Sequence, residues 1–176
     1  ILGLDNNMRK HFFGEDGDTR WNERNLKNKF KNFIPHNIDI RNIAELKKIF
    51  KKYSSDIDLI IHTAAQPSHD WATKDPILDF QVNANGTLNL LQLTNLFSRD
   101  AVFIFTSTNK VYGDKPNHLP FIELEHRWEL KSDHTFFKNG INETMSIDNA
   151  THSIFGASKV AADIMTQEYG KYFGIK

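Results

Sequence analysis

Along this chain, short unbroken apolar runs alternate with segments in which apolar residues recur every three or four positions. Ile1-Leu2-Gly3-Leu4 reads as a buried strand ended by Asp5, and Phe33 to Ile38, followed by Asp39, reads as a second. Leu59-Ile60-Ile61-His62-Thr63 is a compact third, and Val102-Phe103-Ile104-Phe105-Thr106 is the clearest of the four. Helical patterns lie between them. Trp21 to Phe30 is charged and helix-prone, and Ile43, Leu46, Ile49 and Phe50 recur at helical spacing through Tyr53. Leu78, Val82, Leu88, Leu91 and Leu96 run along a long helix to about Phe97, and a final helix carries Ile154, Ala157, Val160, Ala161, Ile164 and Met165 on one broad face.

Strands separated by helix-length segments require crossovers, and continuous apolar strands imply burial on both faces. The expected fold is α/β, a Rossmann-type doubly wound parallel sheet. Residues 114–150 break the pattern with Pro, Asn, His, charges and scattered aromatics, and read as a long excursion on the active side of the sheet. A strand opening at Ile1, and a helix closing at glycine with a further strand about to begin near Lys176, suggest a portion of a longer protein.

Composition narrows the function. The 176 residues carry 22 Lys+Arg against 22 Asp+Glu, which argues against a chain-wide nucleic-acid or acidic-membrane binder. The absence of cysteine excludes a disulfide scaffold, a thiolate metal site and a cysteine nucleophile. No run approaches the ~18 apolar residues of a membrane span, and no signal layout opens the chain, so the cytoplasm is the expected location. The eight histidines form no His-x-x-x-His pair, and no metal site is expected.

In such a sheet, ligands bind beyond the carboxyl ends of the strands. The polar residues there are Asp5-Asn6, Asp39-Ile40, Thr63-Ala64-Ala65-Gln66 and Ser107-Thr108-Asn109-Lys110. Asp5 could accept hydrogen bonds from a ribose 2′-hydroxyl and repel a 2′-phosphate, which favours NAD over NADP; it could equally be an ordinary turn aspartate. A glycine-rich phosphate turn is absent. Lys159 lies one helical turn after Phe155, where a lysine could lower a neighbouring phenol's pKa, but residue 155 has no hydroxyl. By spacing alone Lys159 is a solvated helix residue.

Together these pieces resemble the extended short-chain dehydrogenase/reductase family of nucleotide-sugar epimerases and dehydratases. The resemblance is carried by Gly3-Leu4-Asp5-Asn6, Asp39-Ile40, His62-Thr63-Ala64-Ala65, Val82 to Thr87, Phe105 to Thr108, Val111-Tyr112-Gly113 and Ser158-Lys159. Ala65 to Trp71, Thr106 to Asp114 and His152 to Lys159 are most similar to its CDP-paratose 2-epimerase (CDP-tyvelose epimerase) branch.

The resemblance implies NAD as cofactor, with Asp5 and Asn6 at the adenosine ribose, Asp39 and Ile40 at the adenine, Ala64 and Ala65 beside the pyrophosphate, and Lys159 at the nicotinamide ribose. Gln66, Asn83 and Thr106 complete the expected cofactor set, and Ser68, His69, Thr108 and Asn109 the nucleotide-sugar contacts. Thr108 aligns with the family's hydroxyl on the reacting sugar. The dehydratase branch follows that threonine with an acidic pair; here Asn109 and Lys110 follow, which disfavours elimination. The implied reaction is epimerisation at C2 through a transient keto sugar, in a protein expected to be a homo-oligomer at full length. The family's Tyr-x-x-x-Lys is here Phe155-x-x-x-Lys159. Either another group takes the proton, with His152, His69 or Thr108 as candidates, or the protein binds NAD or a nucleotide sugar without turnover; a related oxidoreductase or 4-epimerase is the third reading. A glycine-rich turn is expected roughly 20–30 residues upstream of Ile1, on a strand central to the sheet. Without it, the 176 residues are expected neither to hold NAD well nor to catalyse.

Overall fold

The computed structural model describes all 176 residues. Four strands form where the apolar runs predict them: β1 (Leu2–Leu4), β2 (Ile34–His36), β3 (Leu59–His62) and β4 (Val102–Phe105). The helices are α1 (Met8–Phe13), α2 (Arg20–Lys29), α3 (Ile43–Tyr53), α4 (His69–Lys74), α5 (Pro76–Phe80), α6 (Gly86–Phe97) and α7 (Ile154–Phe173). A π-helical turn, Gln81–Asn85, joins α5 to α6, so the long predicted helix is one rod with a wider turn inside it. The helix ends follow capping chemistry. The side chains of Asn42, Ser68, Asp75 and Ser153 accept backbone N–H groups at the starts of α3, α4, α5 and α7, and Gly174 closes α7 in the left-handed conformation at φ 71°.

Both strand pairs are parallel: Leu2 to Leu4 face Ile34 to His36, and Leu59 to His62 face Val102 to Phe105. They do not form one sheet. An apolar cleft of about 690 Å³ separates β1 from β3, with Ile1, Leu2 and Leu4 on one wall, Leu59 to Ile61 on the other, and Ile40 and Phe50 beneath. Burial on both faces also fails. Ile60, Phe103 and Phe105 pack toward the core, whereas Leu59, Ile61, Val102 and Ile104 are exposed on the opposite face, where no helix of these residues lies. The core gathers Leu46 and Phe50 of α3, Leu90, Leu91 and Leu93 of α6, Phe103, and Tyr169 of α7. Complete burial of a leucine contributes roughly 1.5–3 kcal/mol, so this layer holds the strand pairs in place.

The excursion is partly regular. It contains an antiparallel hairpin, β5 (Phe121–Glu123) with β6 (Trp128–Leu130), where sequence predicted irregular chain. After α7 the chain turns back along β4, and the N–H of Phe103 donates to the carbonyl of Lys176 at 2.8 Å. No helix is long and apolar enough to cross a membrane.

Candidate active site

The carboxyl ends of β1, β3 and β4 bring most of the predicted residues to one edge. Asp5, directly after β1, donates its N–H to the carbonyl of His36, and its exposed carboxylate accepts the N–H of Asn7 and the hydroxyl of Thr19. Asn6 uses its side-chain oxygen to accept the N–H of Met8 at the start of α1. Beyond β2, Asp39 receives the Arg41 guanidinium on both oxygens, with Nη2 to Oδ2 at 2.6 Å and Nε to Oδ1 at 3.0 Å. Those bonds hold its carboxyl below the ordinary carboxylate range.

Ile40, the other expected adenine contact, follows Asp39 directly. Its side chain belongs to the core, and a Cβ placed on Gly86 would lie 2.5 Å from its Cδ1, so glycine at 86 lets α6 pass close over Ile40 without displacing that side chain. Its carbonyl accepts from Asn89 Nδ2 at 3.0 Å.

Gln66 and Asn83, expected in the cofactor set, form a buried network behind the β3 turn. Both side chains are buried, and they bond to each other's chains: Asn83 Oδ1 accepts the Gln66 N–H at 2.9 Å, and Asn83 Nδ2 donates to the Gln66 carbonyl at 3.2 Å. Gln66 Nε2 and Asn83 Nδ2 both donate to Asp79 Oδ1, at 2.7 and 3.1 Å, and Asn83 Nδ2 reaches Ser158 Oγ on α7. These amides hold the β3 turn against α7. Ala64 and Ala65, outside the network, keep the turn's backbone open.

Asp79 escaped the sequence reading. It is fully buried, and its Oδ2 has no partner. Burial pushes its carboxyl up, opposed by hydrogen bonding and by the charges of His69 and Lys159. A signal for it exists: Asp79, Asn83 and Thr87 repeat at i, i+4 and i+8, a buried polar stripe on the α5–α6 rod.

Lys159 is likewise not solvated. It is 5% exposed, its Nζ donates to the Thr106 carbonyl at 3.0 Å, and the ammonium lies 4.3 Å from the centre of the Phe105 ring. Burial lowers its pKa, and Asp163 and Asp79 act against that. Thr106 also uses its hydroxyl, which donates to the His62 carbonyl. Two residues on, Thr108 Oγ1 donates to Asn109 Oδ1 and accepts the Lys110 N–H, both at 3.3 Å. Ser68 caps α4, accepting the Trp71 N–H at 3.2 Å.

Phe155 is buried, and the His69 ring packs on it with centroids 4.7 Å apart. His152 is committed to the Val111 carbonyl, with Nε2 at 2.8 Å. Lys159 and Thr108 thus stand at the end of β4, and His69 packs on Phe155, one helical turn before Lys159 on α7. The cluster offers a cation, a hydroxyl and an imidazole at a place where a ribose and a sugar hydroxyl could be held.

Comparison with known proteins gives the family and the fold. A family model described as the NAD dependent epimerase/dehydratase family matches residues 7–176. CDP-paratose 2-epimerase of Salmonella typhi is 34% identical over 137 residues, 78% of this chain and 38% of its own length. UDP-glucuronate 4-epimerase of Thermodesulfobacterium geofontis is 30% identical over 156 residues, 88% of this chain and 40% of its own. The chain therefore spans about two fifths of the curated relatives it matches. The crystal structure of Thermus thermophilus UDP-glucose 4-epimerase in complex with NAD superposes over all of this chain and 44% of its own, with a TM-score of 0.66 at 24% identity, which shows a shared Rossmann-like fold.

Proposed function

The chain belongs to the NAD-dependent epimerase/dehydratase family, and from that premise we propose that the full-length protein inverts a hydroxyl-bearing carbon of a nucleotide-activated sugar, C2 of CDP-paratose or CDP-tyvelose before others. The substrate follows the relative at 34% identity and the run Thr108-Asn109-Lys110, which lacks the acidic pair of the dehydratases.

The observation that carries the reading is the buried Lys159 ammonium, held at the Thr106 carbonyl two residues before Thr108. Keeping an ammonium out of water costs free energy unless it serves a partner, and a dinucleotide ribose is a suitable one. The donor set suits NAD: carboxylates follow β1 and β2 where the adenosine hydroxyls and adenine edge would lie, and the Ala64-Ala65 turn leaves room for a pyrophosphate to pass. When bound, NAD would supply a hydride acceptor that later returns the hydride, leaving no net oxidation. Thr108 would orient the reacting hydroxyl, and Lys159 would fix the ribose and favour an anionic oxygen nearby. A further parallel strand in the cleft between β1 and β3 would join the two pairs into one sheet and place a phosphate-binding helix start at their ends. On this reading the 176 residues alone hold NAD weakly.

Phe155 supports a second reading, a binder of the same fold that does not turn its ligand over. The two separate on incubation of the NAD-loaded full-length protein with CDP-paratose, UDP-glucose and UDP-glucuronate, followed by NMR. Inversion at C2 of the CDP sugar supports the proposed function, inversion at C4 of a UDP sugar moves it to the 4-epimerases, and binding with no conversion supports the binder.

A further inference from the structure

Epimerisation through a ketone requires a group that accepts the sugar hydroxyl's proton and gives it back. The Phe155 ring is a tyrosine ring without its oxygen and cannot do so. Lys159 is a cation already donating to Thr106. Thr108 has a hydroxyl too weakly acidic to shuttle a proton by itself. His152 has one ring nitrogen tied to the Val111 carbonyl, and His62 is buried against Thr87, with Nε2 to Oγ1 at 2.9 Å.

His69 differs from all of these. It is the first residue of α4, it is exposed, and neither ring nitrogen has a hydrogen-bond partner within the chain. Its imidazole packs against the Phe155 ring, the ring that stands where the family's phenol would be, with 4.7 Å between centroids and an inclination of 50°. Asp79 on α5 lies near it and keeps one carboxylate oxygen unpartnered.

Building on the epimerase reading, we propose that His69 is the proton-transfer residue that replaces the family's tyrosine. A ring nitrogen of His69 takes the proton as the sugar O–H breaks and the C=O forms, and the imidazolium returns it to the oxygen when the C–H bond is remade on the opposite face; NAD, when bound, would supply the acceptor and donor of that carbon's hydride. Proton and hydride are both restored, so the only net change is configuration.

The test uses full-length, NAD-loaded protein and CDP-paratose. His69→Ala is expected to lower kcat by about 10²–10⁴-fold, with KM and bound NAD within about threefold of wild type. Two rescues separate proton transfer from packing: added imidazole raises the turnover of His69→Ala, and the double variant His69→Ala/Phe155→Tyr regains it through the restored phenol. In the NMR spectrum of wild type, addition of the nucleotide sugar shifts the His69 imidazole signals. Wild-type turnover with an equally active His69→Ala overturns the His69 assignment and leaves the epimerase reading intact. Loss of activity that neither imidazole nor Phe155→Tyr restores also overturns it. A wild type that binds the sugar without converting it overturns both.

Discussion

Asn83 Nδ2 donates to Ser158 Oγ at 3.0 Å, although 75 residues separate them. That bond ties the π-helical turn of the central rod to the helix that carries Phe155 and Lys159. Ser158 in turn donates to the Phe155 carbonyl, so the helix start and the β3 turn are positioned by one buried polar network rather than by apolar packing alone.

Replacing Asn83 by Ala strands the buried Gln66 N–H and carbonyl and removes one of the two donors to Asp79 Oδ1. The expected loss is about 2–4 kcal/mol in the full-length protein. It should appear in urea unfolding as a lower midpoint with an unchanged slope. A loss below about 0.5 kcal/mol would mean that water enters and satisfies the groups.

Lys159 sets function against stability. Its ammonium is buried with a single hydrogen bond, so Lys159→Met, which keeps the length and removes the charge, is expected to leave the melting temperature unchanged or raise it. NAD affinity, measured by calorimetry, should fall about 10–100-fold through loss of a charged hydrogen bond. Full NAD affinity in the variant would remove Lys159 from the cofactor site.

His62 makes stability depend on pH. Burial, and to a lesser degree the Lys159 charge, push its pKa down to about 4. An unfolded histidine titrates near 6.5, so between about pH 6.5 and 4 the unfolded chain binds the extra proton. The stabilisation is complete above that window and is lost as pH falls through it, by about 2 kcal/mol between pH 7 and 5. Asp79 acts in the opposite direction, because burial raises its carboxyl and protonation relieves it. His62→Gln should flatten the acid-side slope in urea titrations at the two pH values; an unchanged slope would place its origin in other groups.

The strands and most helices were legible because their signal is local. Leu59 to His62 and Val102 to Phe105 are apolar runs of strand length, and Ile43 to Tyr53 repeats at helical spacing. Helix α1 was missed because Met8–Phe13 is a single turn and a half with charges inside it. The β5–β6 hairpin was missed because five of its six residues are not buried and it lacks a buried alternating face. At the candidate site, the positions of Asp5 after β1 and Thr108 after β4 were legible through their neighbours in sequence. The burial of Lys159 was not, since it depends on Phe105 and Thr106 more than 50 residues away. For the same reason the inward partners of Gln66 and Asn83 were not legible: Asp79 and Ser158 meet them only in the folded chain.

The most direct test of the central claim, hydride removal and return at one sugar carbon, is isotopic. CDP-paratose deuterated at C2 is incubated with full-length, NAD-loaded protein in ordinary water, and product and cofactor are followed together. The account predicts an inverted C2 that keeps its deuterium, with no NADH released to solution. Exchange of the deuterium for solvent hydrogen, or steady accumulation of free NADH, would contradict it.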